Sequence, residues 1–193
     1  VLGQLANRRQ VVFGTVLMGR MQGGAGADRA LGVFINTLPL RVDVQGSVRA
    51  AVKATHARLS ALLGHEHASL ALAQRCSAVA AGAPLFNTLL NYRHSVPNTA
   101  APDGLDIWQG VELLGGEERS NYPLSLSVDD LGEGFSLALL AQAGIGAQRV
   151  GAYMQSALEQ LAQALEHNPQ AALEQCSVLP PQEREQLLEG CNA

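Results

Sequence analysis

The chain has 193 residues, 47% of them hydrophobic, with 13 Lys and Arg against 17 Asp and Glu and a formal net charge of −4. That is enough apolar material for one domain with a full core, and no basic block of the kind that tracks a nucleic-acid backbone is present. Its apolar runs are broken by Gly, Asn or a charge well short of the roughly 18–20 residues a membrane span requires, so neither nucleic acid nor membrane is an expected partner.

In chain order, Val11 to Met18 is β-branched and apolar on both faces, which predicts a central strand covered on both sides of a sheet. A glycine-containing loop, Arg20 to Asp28, leads to a second strand at Val33 to Val44. Pro39 has no N–H to donate, which places that strand at an edge or a bulge. Within it, Asn36 and Thr37 stand in an otherwise apolar run, and buried polar groups need a partner in the fold or in a ligand. Ser47 is placed to cap a helix whose apolar positions Val48, Val52, Thr55, Leu59, Leu62 and Leu63 continue to Gly64. A shorter helix is expected from Ser69 to about Val79, followed by a third strand at Leu85 to Tyr92.

Ser95 to about Asp106 reads as a loop, rich in Pro and Gly and poor in apolar residues, and Trp108 to Leu114 as a weak strand. Pro123 to Val128 and Gly134 to Gln142 read as a hairpin turning at Asp129 to Gly132. Ala147 to His167 is the strongest helical pattern, with Val150, Tyr153, Met154, Ala157, Leu158, Leu161 and Leu165 on one stripe that stops at Asn168-Pro169. Beyond Leu179-Pro180-Pro181, a small helix from Gln182 to Glu189 is closed by Gly190, as in a linker with one docking helix.

The residue types alone complete no catalytic constellation. The glycines at 23, 24 and 26 lack the Gly-Lys-Ser/Thr of a phosphate loop and read as a flexible turn. His65 and His67, two apart, would share one face of a strand as metal ligands, but no further ligand has suitable spacing. No Gly-x-Ser-x-Gly elbow is present, Cys76 lies on an expected packed helix, and Asp129 and Asp130 suit a turn. Cys76, Cys176 and Cys191 are far apart and odd in number, which argues against a disulfide framework and fits a reducing cytoplasm. No signal peptide is visible, and the opening at Val1 without an initiator Met suggests a segment of something longer.

Four segments in order, Val12 to Arg20, Leu31 to Arg41 (LGVFINTLPLR), His65 to Leu70 (HEHASL) and Pro84 to Arg93 (PLFNTLLNYR), resemble condensation domains of nonribosomal peptide synthetases. Asn121 to Asp130 is similar to the family's late strands, and Val178 to Leu188 to the linker into an adenylation domain. The family's His-His-x-x-x-Asp-Gly motif is not in this sequence, so the resemblance is to the C-terminal lobe alone and no catalytic residue is carried over. It implies an α/β fold, half of a chloramphenicol-acetyltransferase-like two-lobe structure, with a mixed sheet and covering helices. Residues 1–167 would form the lobe and 168–193 the linker.

The implied activity is amide formation between aminoacyl or peptidyl thioesters held on the phosphopantetheine of donor and acceptor carrier proteins, with no cofactor or metal bound by this chain itself. The implied partners are the upstream lobe, the two carriers and a downstream adenylation domain. An epimerisation or dual-function domain and a noncatalytic carrier-binding module are the alternatives, and the isolated lobe is expected to be inactive. Asn36, Thr37, Asn91, Tyr92 and Ser125 are the candidate side chains along a substrate tunnel between the lobes.

Overall fold

The computed structural model describes residues 1–20, 26, 29, 31–80, 82–94, 114 and 118–190. The expected loop at 95–106, most of the glycine turn, Cys191 and the strand at 108–114, Leu114 apart, lie outside the described residues. Among the described residues five strands form one sheet: β1 (Gln10–Leu17), β2 (Asn36–Asp43), β3 (Thr88–His94), β4 (Leu124–Asp130) and β5 (Phe135–Ala141), in the order β2-β1-β3-β4-β5. β1 with β2 and β4 with β5 are antiparallel, whereas β3 runs parallel to both its neighbours, so the sheet is mixed. The helices are α1 (Leu2–Leu5), α2 (Val48–Leu63), α3 (Leu70–Arg75), α4 (Ala147–His167) and α5 (Pro181–Glu185). The sequence pattern had no signal for α1, which is a single turn, nor for the 3-10 turn at Leu173–Gln175.

Side chains alternate across a pleated strand, so the register sorts them into two sets. One face carries Val11, Phe13, Thr15 and Leu17 of β1, with Leu38 and Leu40 of β2 and Leu124 and Leu126 of β4. This helix face holds most of the core: Leu17, Leu38, Leu40 and Leu126 are buried, as are Val48 and Ala51 of α2 and Tyr153 of α4. A largely apolar cavity of about 240 Å³ remains between α1, α4 and this face, lined by Leu2, Phe13, Leu90, Leu139, Val150 and Met154 among others. Among the described residues that line it, Thr88 alone carries a polar side chain.

Several expectations are corrected in detail. β1 is an interior strand but not the middle one, which is β3, and Val12 is 38% exposed. β2 is an edge strand, as Pro39 requires, but it begins at Asn36: Val33 and Ile35 stand outside the sheet with 92% and 59% exposure. Ser47 does cap α2, its Oγ accepting from the Ala50 N–H, yet Val52 and Leu59 are exposed and Ala51 is buried in their place. Ser69 caps α3 in the same way, but this helix stops at Arg75, leaving Cys76 exposed at its end rather than packed on a helix. The β4–β5 turn falls at 131–134, closed by Leu131 N–H to the Gly134 carbonyl at 2.9 Å, so Asp129 and Asp130 belong to the strand and not to the turn. β3 starts at Thr88 and not at Leu85.

The C-terminal segment is held against the lobe. Backbone N–H groups of Val48 and Arg49 donate to the carbonyls of Ala171 and Pro169, and Leu173 N–H donates to Gly46. The Gln4 carboxamide donates to the Cys176 carbonyl at 2.7 Å and accepts from Val178 N–H at 3.2 Å. On α5, Glu183 accepts from the Tyr153 hydroxyl at 2.6 Å and pairs with Arg149, both on α4. Tyr153 and Arg149 hold the Glu183 carboxyl below its ordinary range.

Candidate functional site

The face of the sheet opposite the helix face is defined by Gly14. Its first cross-strand row reads Pro39, Gly14, Leu89 and Ser125. A Cβ on Gly14 would lie 2.3 Å from Phe86 Cε2, so the absence of a side chain is what lets the ring rest on the backbone of β1. Phe86 in turn stacks on Tyr122, with ring centroids 5.6 Å apart and planes at 21°. In the same row, Ser125 Oγ is 2.8 Å from Ser120 Oγ, which also accepts from Tyr122 N–H at 3.2 Å. Phe86 and Ser125 are buried.

The next row is polar. Thr37 pairs with Val16, and Asn91 with Ser127. One step beyond the last β1–β3 pair, Thr15 with Leu90, Val16 and Asn91 stand side by side. Thr37 on β2, Asn91 on β3 and Ser127 on β4 are therefore the polar members of this row, with apolar Val16 of β1 between Thr37 and Asn91, and Ser127 is only 7% exposed. The Asn91 side-chain oxygen is buried and has no hydrogen-bond partner among the described residues. A row further along the same face, Arg93 clamps Asp129 through two bonds of 2.7 and 2.9 Å.

Of the five sequence candidates, Thr37, Asn91 and Ser125 thus share the Gly14 face, and Asn36 and Tyr92 do not. Adjacent residues of a strand point to opposite faces, so neither Asn36 with Thr37 nor Asn91 with Tyr92 can line one surface. The Asn36 carboxamide donates to the carbonyls of Glu66 and Ala68 at 2.9 and 2.7 Å, and its oxygen accepts from Thr37 N–H. It ties the edge strand to the turn before α3. Tyr92 donates its hydroxyl to Asp130 Oδ2 at 2.6 Å, beside His94 Nδ1 at 3.1 Å, while Gly132 N–H donates to Oδ1. Those donors, Tyr92 first, pull the Asp130 carboxyl down to about 2.

Ser127, Ser120, Phe86 and Tyr122 were not singled out from the sequence. For Ser127 the signal existed, since Leu124-Ser125-Leu126-Ser127 alternates strictly and gives both serines one face. His65 and His67 lie in the turn after α2, not on a strand, and Glu66 between them is buried. Among the described residues no group of His, Cys, Asp and Glu is placed to hold a metal ion, and no helix is long and apolar enough to cross a membrane. The hydroxyls and the amide of the Gly14 face do not ionise near neutral pH. They can hydrogen-bond a substrate and fix its position.

Comparison with known proteins agrees with this architecture. The family model described as Condensation domain matches residues 1–188. Malpibaldin synthetase of Mortierella alpina is 49% identical over 193 residues, covering 100% of this chain and 3% of that protein. Vanchrobactin synthetase VabF of Vibrio anguillarum is 33% identical over 139 residues, covering 66% of this chain and 4% of that protein. Among solved structures, the first condensation domain of the calcium-dependent antibiotic synthetase, in complex with substrate analogue 3a, superposes with a TM-score of 0.61 at 22% identity. That match covers 92% of this chain and 39% of the solved one. The condensation domain from Monacolin K polyketide synthase MokA gives a TM-score of 0.62 at 19% identity, covering 89% and 40%.

Proposed function

This chain belongs to the condensation-domain family, and from that premise we propose that it is the C-terminal lobe of a two-lobe domain that joins carrier-tethered groups into amides. The observation that carries this reading is one of coverage: nearly the whole chain matches the family while spanning 39% of a solved condensation-domain chain. In the reaction, the amine of an acceptor aminoacyl group attacks the carbonyl of a donor thioester. The C–N bond forms, the C–S bond breaks, and the amine proton leaves as the carrier thiol is released. Thr37 and Asn91 line the wall that this lobe presents to the tethered substrates, and Ser125, buried and bonded to Ser120, lies behind it with the buried Ser127. Their contribution is alignment of two reactants on long arms, the effect that converts a bimolecular encounter into an oriented one.

Residues 1–167 are the lobe and 168–193 the connection toward an adenylation domain, with phosphopantetheine-bearing carriers as donor and acceptor and the cytoplasm as compartment. Asn36 and Tyr92 act on this reading by holding the wall's strands in place. The test is a carrier-to-carrier assay that scores amide product by mass. The parent domain containing the upstream lobe should form it, and residues 1–193 alone should form none. Turnover by the single lobe, or none by the intact parent, overturns the proposal.

A further inference from the structure

We propose that Asn91 is a substrate-binding residue whose side-chain oxygen accepts a hydrogen bond from an N–H of the carrier-tethered group. The inference rests on the reading of the Gly14 face as the substrate wall, and it adds an atom and a polarity to it. Asn91 Oδ1 is out of contact with solvent and has no partner among the described residues. An acceptor left in that state weakens a folded protein, and an apolar side chain of the same shape would not carry the cost. The groups around it do not relieve it. Arg93, two residues on and on the same face, directs its Nε and one Nη at the two Asp129 oxygens and makes no bond to Asn91 Oδ1. Ser127, its direct cross-strand partner, is itself buried. The Phe86 ring, stacked on Tyr122, lies against Gly14 in the adjacent row of the same face.

A carbonyl oxygen takes an N–H or O–H and repels another carbonyl, which specifies the ligand chemistry as a donor. Two sources on a tethered substrate supply it: the secondary amides of the pantetheine arm, and the attacking amine.

The experiment uses Asn91→Leu, similar in shape and without polar atoms. In residues 1–193, thermal unfolding should stay where it is or move up. In the intact parent domain, the KM for a loaded carrier should rise about tenfold, the loss of one neutral hydrogen bond that strands its N–H, with a smaller change in kcat. A rise for acyl donor and aminoacyl acceptor carriers alike identifies the arm's amide, and a rise confined to the acceptor identifies the amine. A lowered unfolding temperature would make Asn91 a structural residue and overturn the assignment, as would an unmoved KM. A parent domain with native Asn91 that forms no amide is instead a failure of the condensation reading, and the unfolding measurement still decides the role of the amide.

Discussion

Adding one carbon at Gly14 would bring it within 2.3 Å of a ring atom of Phe86, and that ring is itself pinned by Tyr122. Neither partner can yield freely, so Gly14→Ala should destabilise the lobe by about 1–3 kcal/mol in urea unfolding, as overpacking does. Phe86→Leu in the same chain should recover part of the loss; a Gly14→Ala lobe as stable as the native one would mean that the ring moves aside. Gly19 is constrained differently: its φ of 68° and the Phe34 carbonyl 2.1 Å from a would-be Cβ leave room for no other residue. Next to it, the Arg20 guanidinium lies 5.0 Å from the Phe34 ring centroid and bonds the Gly32 carbonyl. At this scale the sequence announced the polar pair Asn36 and Thr37 but not their division of labour. Which of two neighbouring side chains faces a ligand depends on register, and register is set by strands that are distant in the chain.

Among the elements, the ends of β3 and β4 carry the clearest electrostatic signature. Asp130, held near a pKa of about 2 by Tyr92, Gly132 and His94, binds its proton less readily folded than unfolded. Its contribution to stability is therefore complete above the ordinary carboxylate range and is lost as pH falls from about 4 through about 2. Asp130→Asn should flatten the acid limb of an unfolding-against-pH curve in that window and leave the neutral region's slope unchanged. An unaltered acid limb would show that Tyr92 and His94 do not bind the carboxylate in solution. Element type was readable along much of the chain because it follows local chemistry: the Ser47 cap, the stripe of α4 down to Asn168-Pro169, and Pro39 on an edge. Element limits were less so. Val33 and Ile35 have the composition of a strand, yet β1 has no residues left to pair with them beyond Leu17, which meets Asn36.

For the whole molecule, the segment after α4 is docked by Gln4 at one point and by Arg149 and Tyr153 at another. Glu183→Ala should release 181–190, seen as several-fold faster amide exchange there, while the sheet's unfolding temperature stays nearly constant. Unchanged exchange over those residues would mean that apolar packing, not the Glu183 cluster, holds them. The sequence pattern indicated a docking helix at this place, though only the folded chain reveals that its anchor is a carboxylate. The strand order has a kinetic consequence as well. β1 with β2 and β4 with β5 can zip as neighbours in sequence, but β1 meets β3 through only two registered pairs, Gly14 with Leu89 and Thr15 with Leu90. Joining residues so far apart along the chain carries the entropy of a long loop before any contact rewards it. That two-pair seam therefore carries the longest loop closure in the sheet's register, and the glycine that admits Phe86 sits on it, where the two antiparallel halves of the sheet are joined through β3.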